Sequence, residues 1–201
     1  TYRVIKVNDD GTALVMAMFD ANAAQSFGSS NTYKNSALDT YLNTTWYNTL
    51  NSTAKSAIVA SNITQYSYTS SSKEKTDTHA SFANYSSKAV IETITDKRNV
   101  YALDIEDIEE YFGGTAGSAD NKVAGEFSTT NIWTLFWNTT SAPSPETCLW
   151  LRSANTGDTF VVWYVRGLLG NLWGSGVFDS ATARPAFKID LSKISYSFYA
   201  G

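Results

Sequence analysis

From Thr147 to Leu191 the chain is a succession of short apolar runs broken mostly by glycine-bearing turns, a pattern that only strands satisfy well. Thr147–Arg152, Phe160–Val165, Asn171–Phe178 and Arg184–Leu191 are rich in β-branched and aromatic residues and too short for packed helices. The opening residues follow the same logic. Tyr2–Val7 and Thr12–Phe19 are strand-like and flank Asn8-Asp9-Asp10-Gly11, which predicts a β-hairpin. Between these ends lie helical signals. Ser36 is a natural N-cap for a helix that puts Leu38, Tyr41, Leu42, Trp46 and Leu50 on one core-facing stripe, and Ser52 caps a short second helix through Ile58. Val90–Ile94 and Asn99–Leu103 read as short strands. Asp104 caps Ile105–Phe112, whose acidic first turn suits the helix dipole, and Gly113-Gly114 supplies the stop. The expectation is an α+β fold of mainly antiparallel short strands with two or three helices. Ile5 and Ile189 lie in apolar segments at opposite ends of the chain, so pairing of the terminal strands is expected.

The length of 201 residues suits one domain over 1–201. Ser and Thr supply 12 of the 28 residues from Ser61 to Lys88, so this stretch reads as a polar excursion without a core of its own. Fifteen Lys and Arg against 19 Asp and Glu, spread along the chain, leave no basic face for nucleic acid. No apolar run reaches the roughly 20 residues of a membrane span. One cysteine excludes an internal disulfide framework and any cysteine-cluster zinc site. A chain that starts at Thr1 with no basic-plus-apolar leader reads as a piece of a larger protein.

Candidate chemistry is sparse. His79 is the only histidine and falls in the polar excursion, where nothing suggests an oriented imidazole; it reads as a surface residue. Cys148 reads as a small core residue in a strand. Asp104, Glu106, Asp107, Glu109 and Glu110 form an acidic group that a solvated helix face explains more cheaply than a metal or acid–base site. No phosphate loop, dinucleotide fingerprint, paired-histidine helix or calcium loop occurs, so no cofactor is expected and binding is favoured over catalysis.

One compositional anomaly remains. The 41 residues from Thr147 to Phe187 contain no Lys, Glu, Gln or Met, although those types total 21 of 201 and about four would be expected here. Gly167, Gly170, Gly174 and Gly176 mark tight turns in this segment. Phe160, Leu168, Leu169, Trp173 and Phe178 beside them are expected near the surface, where apolar patches signal partners.

Trp150-Leu151-Arg152-Ser153, Trp163-Tyr164-Val165, Gly170-Asn171-Leu172 and Arg184-Pro185-Ala186-Phe187, in this order, resemble the C-terminal signature of a C-type-lectin-like family widespread in bacteria and their phages. Leu38-x-x-x-Leu42-Asn43 and the run from Leu103 to Gly113 are similar to its internal segments. The family includes the variable proteins of diversity-generating retroelements, in which a mutagenic reverse transcriptase replaces template adenines. Randomised AAC codons never yield Trp, Met, Lys, Gln or Glu, and the depletion fits such a history. The resemblance implies a fixed scaffold of Trp150, Leu151, Arg152, Trp163, Val165, Val177, Arg184, Pro185 and Phe187. It implies exchangeable ligand-binding positions at Asp158, Phe160, Val161, Arg166, Gly167, Leu168, Leu169, Trp173, Gly174, Ser175, Gly176, Phe178, Asp179, Ala181 and Thr182. Trp173 departs from the pattern, since an AAC codon cannot give Trp. The implied partner is a protein or glycan on another cell or particle surface, and the implied location a bacterial cell surface or phage particle. Glu-Pro-Asn and Gln-Pro-Asp, the tripeptides of calcium-dependent sugar binding, are absent, and a single Cys counts against formylglycine-generating activity. The rival expectations are a non-diversified adhesin or cell-wall glycan-binding module and, more distantly, a hydrolase.

Overall fold

A computed structural model describes residues 1–18, 24–70, 85–111, 129–139, 147–168 and 171–195. Two sheets organise them. β1 (Tyr2–Val7) and β2 (Thr12–Ala17) form the expected hairpin, its turn closed by the Gly11 amide donating to the Asn8 carbonyl at 3.3 Å. Gly11 sits at φ +79°, the left-handed conformation that places a glycine at the end of such a turn. The small sheet runs β1-β2-β11-β4, with β11 (Ala186–Asp190) and β4 (Ile58–Val59), and all its pairs are antiparallel. The terminal strands thus share a sheet without pairing to each other. β2 lies between them because Ala13 to Ala17 are buried on both faces, and a strand apolar on both faces takes an interior place.

The large sheet is centred on β7 (Cys148–Asn155), six of whose eight residues are buried. β7 runs antiparallel to β8 (Val161–Arg166), which carries β9 (Asn171–Gly176). It is also paired in parallel with β10 (Ala181–Thr182) near its start and with β5 (Ser61–Ser70) near its end. β3 (Ala24–Gln25) borders β10, and β6 (Tyr85–Arg98) borders β5.

The Ser61–Lys88 excursion is therefore not a loop over its described part: β5 and β6 form a long hairpin. Threonine and tyrosine favour strands, and Ile63, Gln65, Ser67 and Tyr68 point into the core. Val90–Ile94 lies within β6, whereas Asn99–Leu103 is no strand. That segment makes a single bridge, from Tyr101 to Ala186, because Asn43 Oδ1 accepts from the Asn99 and Val100 amides, the Tyr33 hydroxyl accepts from the Ala102 amide, and the Leu103 carbonyl accepts from the Arg152 amide.

Four helices occur among the described residues, one more than the upper expectation. α1 runs without a break through Ala37–Thr40, a π-helical Tyr41–Trp46 and Tyr47–Thr49. Ser36 caps it by accepting from the Asp39 amide at 3.1 Å, and Leu38, Leu42 and Trp46 are buried. α2 (Ser52–Ala57) is capped by Asn51 rather than Ser52; the Asn51 side chain accepts from the Ala54 amide at 2.8 Å. α3 (Ile105–Tyr111) starts at Asp104, and α4 (Thr129–Trp137) has no counterpart in the sequence reading. Phe19, His79, Phe112-Gly113-Gly114, Leu169 and Gly170 fall outside the described residues. No helix among the described residues is long and apolar enough to cross a membrane.

Candidate functional site

The Trp150-Leu151-Arg152-Ser153 run fixes the middle of the molecule. Trp150 is buried between Phe27 and Tyr164, with ring centroids 5.9 and 6.0 Å away, and its indole donates to the Gln25 carbonyl at 2.7 Å. Arg152 is buried with its donors spent internally: Nε on the Thr64 carbonyl at 2.9 Å, and Nη1 on the Ala102 carbonyl and Asp107 Oδ2, both at 2.7 Å. Asp104 is buried 3.9 Å from Arg152 and accepts from the Tyr68 hydroxyl at 2.6 Å. Asp104 also accepts from the Glu106 amide while Asp107 accepts from the Asp104 amide, a reciprocal cap at the start of α3. Ser153 Oγ accepts from the Ile105 amide at 2.9 Å.

The acidic group is therefore a solvated face only in part: Glu110 is exposed and pairs with Lys6 at 3.0 Å, and Glu106 is half-buried against Lys88. Asp104, Asp107 and Glu109 turn inward because two of them neutralise Arg152, and no set of three metal-ligating side chains gathers among the described residues. Burial pushes the Asp104 carboxyl above the usual carboxylate range. Glu109 Oε2 has no hydrogen-bond partner among the described residues, and burial raises Glu109 from 4.5 to about 7. Because the folded state holds this proton more tightly than the unfolded chain, the contribution of Glu109 to stability is fullest below about pH 4.5 and is lost as pH rises through about 7. Glu109→Gln should abolish about 2 kcal/mol of that loss, allowing for partial screening. Urea unfolding of both proteins between pH 4.5 and 7.5 measures it; parallel curves would refute the assignment.

Two further buried amides were invisible as such in the sequence. Asn31 donates to the carbonyls of Asn155, Asp158 and Val161 at 3.0, 2.9 and 3.3 Å, and its amide donates to the Thr159 carbonyl at 2.7 Å. Gln65 accepts from the Tyr33 amide and donates to the carbonyls of Asn31 and Arg152. Together they clasp the loop between β7 and β8 against the core. No local pattern flags such residues, since their partners lie more than 30 positions away.

That loop and the residues after β9 carry the two most exposed aromatics among the described residues. Phe160 and Phe178 are 54% and 69% exposed and stack with centroids 6.2 Å apart and planes at 26°. The Val177 amide donates to the Phe160 carbonyl at 2.8 Å, which joins the two segments. Asp158 Oδ1 accepts from the Phe160 amide at 2.8 Å; Asp179 Oδ2 accepts from Ser175 Oγ at 2.6 Å and the Gly176 amide at 2.9 Å. Asp158, Phe160, Val161, Ser175, Gly176, Phe178 and Asp179 are thus one neighbourhood.

The remaining expected positions divide. Arg166, Gly167 and Leu168 sit at the other end of the β8–β9 hairpin, about 17 Å along the strand from Val161. Leu168 is 45% exposed there, but Gly167 is buried, its carbonyl taken by the Trp133 indole at 2.6 Å and its amide by the Thr147 carbonyl. Trp173 is half-buried opposite Tyr164. Ala181 is buried and Thr182 half-buried in β10, between β3 and β7, so Ala181 offers no outer side chain. Gly174 is no open slot either: a Cβ there would lie 3.0 Å from Val161 Cγ1. At Gly176 it would meet Asp179 Oδ2 at 3.2 Å.

Every residue expected as scaffold is buried: Trp150, Leu151, Arg152, Trp163, Val165, Val177, Arg184, Pro185 and Phe187. Arg184 donates to the Phe136 carbonyl and lies over the Trp137 ring, fastening α4 to the strand region. Cys148 is half-buried at the start of β7. A family model described as a domain of unknown function, DUF6273, matches residues 9–191. No curated protein and no solved structure matches the chain significantly.

Proposed function

The chain belongs to the DUF6273 family, and we propose that it is a ligand-binding, receptor- or adhesin-type protein whose C-terminal surface is exchanged by a retroelement on a constant C-type-lectin-like frame. The observation that carries this reading is the exposed Phe160–Phe178 stack on backbone locked by Asn31 and by the β8–β9 pairing. Large apolar side chains held in water on rigid backbone suit partner recognition, since their burial on binding incurs little ordering cost. Buried Trp150, Trp163, Val165 and Phe187 separate the frame from the face, so outer residues can change without loss of the core. A protein or glycan on a bacterial or phage surface fits this open face better than an enclosed small molecule.

Two outcomes test the reading. Phe160→Ser and Phe178→Ser should each change unfolding free energy by about 0.5 kcal/mol or less while altering binding; a loss above about 2 kcal/mol in urea denaturation would make these residues structural. Sequencing the DNA beside the gene should find a near-copy of the Thr147–Phe187 coding segment, differing at adenines, next to a reverse transcriptase gene. A non-diversified adhesin is the second reading. Buried Ala181 and the crowding of Gly174 against Val161 favour it, because exchange at those positions is restricted. A neighbourhood without the repeat and the reverse transcriptase would select it.

A further inference from the structure

The charge around the aromatic pair narrows the class of partner. Two stacked rings present the negative faces of their π-systems, which attract cations. Asp158 lies two residues before Phe160 and Asp179 directly follows Phe178, each with one carboxylate oxygen engaged on local hydrogen bonds. No Lys or Arg occurs from Asn155 to Val161 or from Asn171 to Thr182. The cations nearest in sequence are committed elsewhere: Arg152 and Arg184 are buried, and Arg166 is at the far end of the hairpin. Lys34, three residues beyond the Asn31 clasp, is turned to Glu92 and Asp96 at 3.4 Å. Among the described residues the face thus combines exposed aromatic area with two negative charges and no positive charge of its own.

Resting on the receptor reading, we infer that the Phe160–Phe178 face takes a protein segment presenting a Lys or Arg side chain, its stem on the rings and its head between Asp158 and Asp179. Aliphatic stems of these side chains cover apolar surface while their charged heads stay near water and carboxylates. A neutral glycan would use the rings but would gain nothing from the paired acids as charges.

The test selects a random peptide library of roughly 12 residues on the full chain and, in parallel, applies the chain to a neutral-glycan array. Enriched peptides should carry Lys or Arg beside an apolar residue. Binding of the best synthetic peptide should weaken about tenfold in the Asp158→Asn/Asp179→Asn double variant, where the amide oxygens keep the local acceptors but the charge is gone. Phe160→Leu/Phe178→Leu should weaken it similarly, as should replacing the peptide cation by Gln. Neutral or acidic winners, glycan binding alone, no enrichment, or an unchanged affinity in the Asn variant would each overturn the cationic partner. Where such binding still depends on Phe160 and Phe178, the receptor reading survives; binding indifferent to both rings overturns it as well.

Discussion

Arg152→Met is expected to destabilise the protein by about 4 kcal/mol, the cost of leaving buried charges without their counterion. Among the described residues Arg152 alone pairs with both Asp104 and Asp107 in the core beneath α3, and it also satisfies the Thr64 and Ala102 carbonyls. Methionine fills the space and supplies none of this. At roughly 2–4 °C per kcal/mol for a chain of this size, the melting temperature should fall by about 10 °C. The variant should also regain stability as pH is lowered. Burial already raises Asp104, and losing Arg152 removes the largest of the effects that oppose that rise, leaving the hydrogen bonds from Tyr68 and the Glu106 amide; protonation then becomes the cheaper way to keep Asp104 buried. Adding Asp107→Asn should recover part of the loss, because the two residues are coupled. Calorimetry and urea unfolding read both effects. A loss below about 1 kcal/mol would mean that water or rearrangement replaces the guanidinium.

Asp39→Ala should cost about 3 kcal/mol, the second largest effect. The Asp39 carboxylate accepts from Arg98 Nε at 2.9 and 3.0 Å, the Asn35 amide at 2.9 Å and Asn43 Nδ2 at 3.0 Å. Arg98 keeps its contact with Asp96 at 3.1 Å, a half-exposed partner that limits the damage. The loss should have a local signature. Asn43 Oδ1 accepts from the amides of Asn99 and Val100, and Asp39 orients Asn43. Hydrogen exchange at those two amides should therefore accelerate beyond the global change in stability; equal protection relative to the rest of the core would show that Asn43 holds its place unaided.

The same polar groups explain how far the sequence could be read. Ser36 and Asp104 as caps, Leu38, Leu42 and Trp46 as a buried stripe, and the β1–β2 hairpin were legible because each depends on spacing within a few residues. The hairpin hidden in the serine- and threonine-rich stretch was not, since Gln65 is polar in composition yet buried in fact. For the face itself, glycine-rich turns next to aromatics indicated Phe160, Leu168 and Phe178 as exposed. The pattern could not tell that Leu168 lies at the opposite end of a hairpin, or that Ala181 is interior.

The amino-acid order by itself determined the α+β class, the approximate strands of the last third and the surface position of Phe160 and Phe178, whereas the burial of Trp150, Trp163 and Phe187 was implied only by the family resemblance. The first three follow from local propensity and from apolar periodicity, which act over a few residues. Tertiary structure alone decided that β2 separates the terminal strands, that Asn31 clasps the Phe160 loop, and that Arg152 draws Asp104 and Asp107 inward. Those outcomes depend on groups far apart in the chain, where burial makes each unpaired polar atom costly and so selects the one arrangement that satisfies it.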